Sequence, residues 1–392
     1  MYVFKSSDTN IKACCFILFL SVFMSRFNFD FGVSLQIFHA VFVFLVVSGI
    51  YAIPRALLPD ELLMLLFYIL FSFTGIYSIE PAKTIIMILG LGVVINYALI
   101  TRGLLSRLEM KAVLQVFAIV GKIIFWFSLF LYFFGALYFN LYGLNEGQKF
   151  MGVMVEKGIL RAIGISTDPN FLSLISIVFV FFFLSKKNEK IYAFGFIILI
   201  LLTLSRGGAA SLVVGLVLYL LKNDFKKLAY IVLCSISFII IFQLFIDPDF
   251  LNLVFEKRMS GLETGAGRFD IWSQGLKIFE GNEVFGIGIF QFQSYNKLYF
   301  SDGHFLHNTY FEVLIEGGVV VFAVFMLMLI TFTSKFVHLY LFNDDFFWIL
   351  PTIISFFICI FGLSAYASPI IYTFMAVMNV IYLKSKSKIT TY

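Results

Sequence analysis

Residues 112–140 read AVLQVFAIVGKIIFWFSLFLYFFGALYFN, with Lys122 as the one charge in the run. A helix this apolar on every face would meet water along its outer side in a soluble protein, whereas a helix crossing hydrocarbon needs about 20 such residues. Eleven similar runs surround it, at 12–25, 33–53, 61–79, 83–101, 169–185, 190–205, 207–221, 227–246, 309–333, 346–365 and 367–383. The whole chain of 392 residues is 61% hydrophobic, 19% aromatic and 13% charged, with a mean hydropathy of +0.99. Soluble domains carry about 25% charged residues, so roughly half the charge needed to coat a water-facing surface is missing. A soluble globular enzyme, a disordered chain and a disulfide scaffold are therefore excluded. The reading is an all-α membrane protein, a single polytopic domain over 1–392 with about twelve transmembrane helices.

The runs at 190–205 and 207–221 are separated only by Ser205-Arg206-Gly207 and predict a tight helical hairpin. The uncharged stretch from Phe346 to Leu383 is too long for one crossing, and Ser364 to Pro369 is its natural break, because proline disfavours helix in the residue before it. With the N-terminus inside, the inner segments hold sixteen Lys and Arg residues, from Lys5 to Lys388, and the short outer loops hold Arg26, Lys83 and Arg206. That asymmetry predicts cytoplasmic termini. It also accounts for the net charge of +5 without nucleic acid, since the basic residues sit in short clusters between apolar runs. Two long connections, about 141–168 and 247–308, then lie on the outer face, and the aromatic residues of the second predict that it folds and docks. Cys14, Cys15, Cys234 and Cys359 lie in apolar runs and read as small hydrophobes, with no disulfide or zinc spacing. Ala13 to Ser25 lacks a small-x-small cleavage site and reads as a retained first span.

The residues able to carry chemistry collect near the outer rim. Leu204-Ser205-Arg206-Gly207-Gly208 places an arginine against the positive-inside trend, at a cost of about 2.5–3.5 kcal/mol if central and less at the interface. Arg206 is either a snorkelling anchor or an anion clamp, in which a planar guanidinium grips phosphate while glycines let backbone N–H groups approach. Gly265-Ala266-Gly267-Arg268-Phe269-Asp270-Ile271-Trp272 reads as a turn into a short amphipathic helix, with Trp272 and Leu276 on its buried side. Phe285-Gly286-Ile287-Gly288 reads as a backbone turn, without the strand and acid of a dinucleotide site. In Asp302-Gly303-His304-Phe305-Leu306-His307-Asn308, His307 is a candidate general base or an ordinary loop histidine; the two histidines lack a third metal ligand. Thr167-Asp168-Pro169-Asn170 has the form of a helix N-cap with proline in the first turn. Glu312 and Glu316 share a helix face and need partners, which Arg206 or Arg268 would supply. Lys122 has a structural or cavity-facing role, and Asp247-Pro248-Asp249 reads as a helix-ending turn rather than a metal pair.

In order and spacing these pieces resemble the bacterial O-antigen ligase and polymerase family of membrane glycosyltransferases over residues 160–330. The resemblance rests on Asp168-Pro169-Asn170, Ser205-Arg206-Gly207, Arg268 with Trp272, Gly286-x-Gly288, and His307-Asn308 with Glu316-Gly317. Val284 stands where the family commonly has proline. The resemblance implies a donor glycan linked by pyrophosphate to undecaprenol, used at the periplasmic face of the inner membrane. It implies that Arg206 and Arg268 bind the pyrophosphate and stabilise the departing charge, and that His307 activates the acceptor hydroxyl. Asp168, Asn170 and Glu316 complete the implied substrate-binding set. The implied transfer is inverting and uses no metal and no cofactor. Its implied partners are membrane lipid, a chain-length regulator and a flippase, with no nucleic acid.

Polymerisation of repeat units is the favoured activity, because the Phe-rich composition and divergent first half resemble the polymerases; ligation to a lipid A core is the alternative. A transporter is the rival from another class, opposed by the near absence of ionisable residues inside the spans. Alkaline phosphatase fused within 141–168 should be active, and a fluorescent protein fused after Tyr392 should fluoresce. The reverse pattern would invert the predicted orientation.

Overall fold

The computed structural model describes residues 8–30, 34–223 and 268–389. Outside them lie the apolar run at 227–246 with Cys234, the Asp247-Pro248-Asp249 turn, Gly265 to Gly267 and the basic residues Lys5, Lys226 and Lys227. The helices, in chain order, are α1 (Asp8–Phe23), α2 (Ile37–Val47), α3 (Pro59–Phe73), α4 (Pro81–Leu105), α5 (Met110–Tyr142), α6 (Pro169–Ser185), α7 (Lys190–Leu202), α8 (Arg206–Asn223), α9 (Arg268–Phe279), α10 (Phe292–Phe300), α11 (Thr309–Phe342), α12 (Ile349–Cys359) and α13 (Pro369–Ile389). Every apolar run within the described residues contains a helix, although in 33–53 it covers only Ile37–Val47, and the protein is an all-α membrane protein as the composition requires. Four helical segments are long and apolar enough to cross a bilayer alone: Pro59–Tyr77, Pro81–Leu105, Met110–Tyr142 and Thr309–Phe342. Others, such as α2 and α7, are apolar but shorter.

Start signals sit where the sequence puts them. Pro59, Pro81, Pro169 and Pro369 each open a helix, where a missing N–H costs nothing. Between α7 and α8 the chain turns through Leu204, whose φ of 51° is left-handed. Between α12 and α13 it breaks over 363–368, as the run of Phe346 to Leu383 predicts.

The centre of the bundle is α6, whose residues from Leu172 to Phe183 are all buried. Phe179 and Phe182 meet Phe117 of α5 at ring separations of 4.9 Å each, and Phe182 meets Trp348 at 5.1 Å. Aromatic pairs of this kind contribute about 0.5–1.5 kcal/mol each. Glycines bring the backbones close enough for such packing: a Cβ on Gly121 would strike Phe179, and one on Gly195 would strike Phe125.

The connection at 141–168 is more than a loop. It folds into a three-stranded antiparallel sheet of β3 (Lys149–Phe150), β4 (Val153–Glu156) and β5 (Ile159–Ala162), while β1 (Asn28–Asp30) pairs with β2 (Ser34–Gln36). Lys157 and Gly158, both at positive φ, make the two-residue β4–β5 turn, and the Glu146 carboxylate accepts the N–H groups of both. Gly152 N–H donates to Leu131 O of α5, which seats the sheet on that helix.

At the opposite end of the bundle lies a buried ionic cluster. Lys335 of α11 pairs with Asp60 of α3, and Arg102 of α4 pairs with Glu61 at 2.6 Å. Asn379 of α13 joins the pairs by donating to Asp60 and Glu61. Arg102 and Lys335, which the sequence reading counts among the inner basic residues, are thus consumed in helix–helix contacts. Lys122 has a similar fate, pairing with Glu189 in the α6–α7 connection. Replacing Lys335 with Met strands Asp60 and should destabilise the protein by about 3–5 kcal/mol in detergent unfolding, whereas adding Asp60→Leu should recover much of the loss. Equal stability of the single variant and wild type would remove the cluster from the account of the fold.

Candidate active site

A cavity of about 600 Å³ opens at the end of the bundle away from that cluster. Among the residues lining it are His307, Arg268, Asp168, Asn170 and Glu316. Local structure explains each position. Asn308 is the N-cap of α11, its side-chain oxygen accepting from the N–H groups of Tyr310 and Phe311. Leu306, two residues earlier, is fully buried and its carbonyl accepts from Trp272 Nε1 at 2.9 Å. His307 between these anchors takes a φ of 50°, a left-handed conformation that histidine tolerates better than most side chains. The same Trp272 hydrogen bond ties α9 to this loop, and Arg268 lies four residues before Trp272, one turn along the same face. Trp272 is half-buried as predicted, but Leu276 is exposed; Gly275 and Ile278 form the buried side of α9.

Charge is concentrated here. Arg268 is half-buried, and burial together with the charge of Arg206 pulls its pKa below the ordinary arginine value, while Asp168 and Glu156 oppose that shift. Desolvation holds the His307 pKa below the ordinary histidine value, and the Arg268 charge adds to the effect. Among the described residues no hydrogen bond occupies the His307 ring. His304 turns instead to Asp302, so the two histidines do not converge.

Arg206 stands apart. It is the exposed first residue of α8 and does not line the cavity, although it lies within electrostatic reach of Arg268. Its turn is held from α6: Ser205 Oγ donates to Asn170 Oδ1 at 2.7 Å and accepts from Gly208 N–H at 3.1 Å. Thr203 Oγ1 and Ser173 Oγ share a hydrogen bond at 2.7 Å beneath it. Asn170 therefore positions the Arg206 turn, and Asp168 caps α6 by accepting from Asn170 N–H at 2.8 Å.

The two glutamates do not pair with arginine, contrary to the sequence expectation. Glu316 accepts from the N–H groups of Phe290 and Phe292 and from the Tyr366 hydroxyl. Glu312 accepts from Ser364. Glu316 is satisfied largely by backbone amides, whereas Glu312 has the Ser364 hydroxyl on one oxygen only.

Residues of the β3–β5 sheet complete the wall. Arg161 is buried, donates through Nε to Thr203 O at 2.8 Å and pairs with Glu156, and Lys149 donates to Thr167 O at 2.8 Å. All three line the cavity. Sequence reading passes over them because they fall in a connection without an apolar pattern; the available signal is an arginine on the face where basic residues are scarce.

Comparison with known proteins places the site in context. An uncharacterized protein of Haemophilus influenzae is 30% identical over an alignment covering 41% of this chain and 47% of that protein. The chain thus spans about half the length of that curated relative. The family described as O-Antigen ligase matches residues 191–326, from α7 through the first half of α11. That segment, which carries Arg206, Arg268, His307 and Glu316, is similar to the O-antigen ligase family.

Proposed function

We propose that this protein polymerises undecaprenyl-pyrophosphate-linked oligosaccharide repeat units into O-antigen or a related surface polysaccharide at the periplasmic face of the inner membrane. The observation that carries the reading is the pairing of an uncommitted imidazole with a half-buried guanidinium on one cavity, inside the segment that matches the family. Twelve spans with both termini cytoplasmic form the frame of this reading.

In the step proposed, an acceptor hydroxyl oxygen attacks the anomeric carbon of the donor as the bond to pyrophosphate breaks, with inversion. His307 takes the hydroxyl proton, and undecaprenyl pyrophosphate leaves with the electron pair. Arg268, with Arg206 beside it, stabilises the charge that develops on the pyrophosphate. Because the leaving group is already activated, holding two chains in register supplies much of the remaining acceleration. Asp168 and the amide-bound Glu316 line the same space, while Asn170 acts through the Arg206 turn. A chain-length regulator and a flippase are the partners this activity calls for.

Ligation of finished glycan to a lipid A core is the second reading, favoured by the description of the matching family itself. The two separate on a gel of lipopolysaccharide from a strain lacking this chain. Core bearing one repeat unit identifies a polymerase, and bare core with stranded polymer identifies a ligase. Complementation by His307→Ala or Arg268→Ala should leave the defect in place, with activity down about 100-fold or more. A full ladder from His307→Ala would remove the base assignment.

The pH dependence has a fixed sign. His307 must be unprotonated to accept a proton, and its pKa lies below the ordinary 6.5. The transfer rate should therefore be level near neutrality and fall as pH drops through a midpoint below 6.5. A midpoint above that value in a pH–rate profile would contradict the assignment.

A further inference from the structure

Glu312 occupies an unusual place in the cavity wall. It is 3% exposed, and one carboxylate oxygen accepts from Ser364 while the other, Oε2, has no hydrogen-bond partner among the described residues. Glu312 and Ser364 both line the cavity that holds His307 and Arg268. One turn further along α11, Glu316 presents the contrasting case, with three donors on its two oxygens. Two glutamates four residues apart on one helix thus divide their work. Glu316 is spent on the fold, and Glu312, a residue of the cavity wall, retains acceptor capacity.

A buried carboxylate oxygen without a donor is costly unless a ligand supplies one. The chemistry that fits is a neutral hydroxyl donor. A phosphate finds its matching cation in Arg268, elsewhere on the cavity. The Ser364 hydroxyl, which donates to Glu312, keeps its lone pairs for a second hydroxyl.

Building on the proposed glycosyl transfer, we propose that Glu312, with Ser364, forms a saccharide subsite that hydrogen-bonds a sugar hydroxyl of the lipid-linked repeat unit. The subsite recognises the glycan, and the arginines recognise the pyrophosphate, so the two halves of the donor are read by separate groups. Glu312 is a specificity-determining residue in this scheme and takes no proton from the reacting hydroxyl.

The test compares two ligands on purified full-length protein in detergent. One is the lipid-linked repeat unit extracted from a strain lacking this chain, and the other is undecaprenyl pyrophosphate, which carries no sugar. Binding is read by native mass spectrometry for wild type, Glu312→Gln, Ser364→Ala and Arg268→Ala. Glu312→Gln keeps the shape of the side chain, and its thermal unfolding in detergent is measured beside wild type. The expected result is an affinity for the repeat unit about tenfold weaker in Glu312→Gln, with undecaprenyl pyrophosphate binding unchanged. Ser364→Ala should show the same selective loss, and Arg268→Ala should lose both ligands. Equal loss of both ligands in Glu312→Gln, or none, overturns the subsite while leaving the glycosyl transfer reading in place. Wild type that binds neither ligand overturns that reading and the subsite with it.

Discussion

Hydrocarbon offers no partner to a freed backbone group, and α11 interrupts its own hydrogen-bond ladder near Gly318, where φ is 74° and ψ is 177°. The segment 283–288 satisfies what the break exposes. Ile287 and Gly288 donate to the carbonyls of Ile315 and Glu316, and Val319 donates to the carbonyl of Glu283. Gly286 and Gly318 pass so close that a Cβ on either would strike the other segment's backbone. The Gly286-x-Gly288 and Glu316-Gly317 motifs are therefore two sides of one contact. Once that contact forms, Glu316 meets the amides of Phe290 and Phe292, and the polar connection is fastened to a membrane helix.

The catalytic candidates depend on this fastening. From the break, α11 runs back to its Asn308 cap, and His307 projects from the residue before it. Trp272 closes the circuit by bonding to Leu306 O, which sets Arg268 at the same opening. A second frame holds Arg206, running from Asp168 through Asn170 to Ser205. Arg161 joins the frames to the β3–β5 sheet through Thr203 O. Arg268 and Arg206 are thereby held within electrostatic reach of each other without an ion-pair partner among the described residues, an arrangement suited to a polyanionic ligand and costly without one.

Charge is also partitioned along the bundle. The Asp60, Glu61, Arg102 and Lys335 cluster is internally balanced and ties α3, α4, α11 and α13 together. The cavity at the other end is not balanced in this pairwise way, since Arg268 has electrostatic neighbours and no ion-pair partner among the described residues. Buried charges paired with one another hold helices in place, whereas Arg268, without such a pair among the described residues, faces the cavity. The same α11 serves both ends, with Thr309 toward the cavity and Lys335 in the cluster.

Much of this was legible in the chain itself. Apolar runs near the length of a bilayer crossing admit little but helix, so the helices, the α7–α8 hairpin and the break before Pro369 follow from hydropathy and proline alone. Asp168 as a cap is equally local, because an N-cap needs only its own next few residues. The partners of Glu312 and Glu316 were not legible, because Ser364 and Tyr366 come from a connection about 50 residues away and the amides of Phe290 and Phe292 from the polar segment. Nor was the sheet at 149–162, whose short strands are stabilised by seating on α5 rather than by their own pattern. Sequence alone determined which segments are apolar enough to form membrane helices and which residue types could do chemistry, since both depend on composition and near neighbours. Tertiary structure alone decided which of those residues share a cavity, which acid is spent on backbone amides and that Arg206 stands outside the lining, since each depends on groups brought together only when distant helices pack.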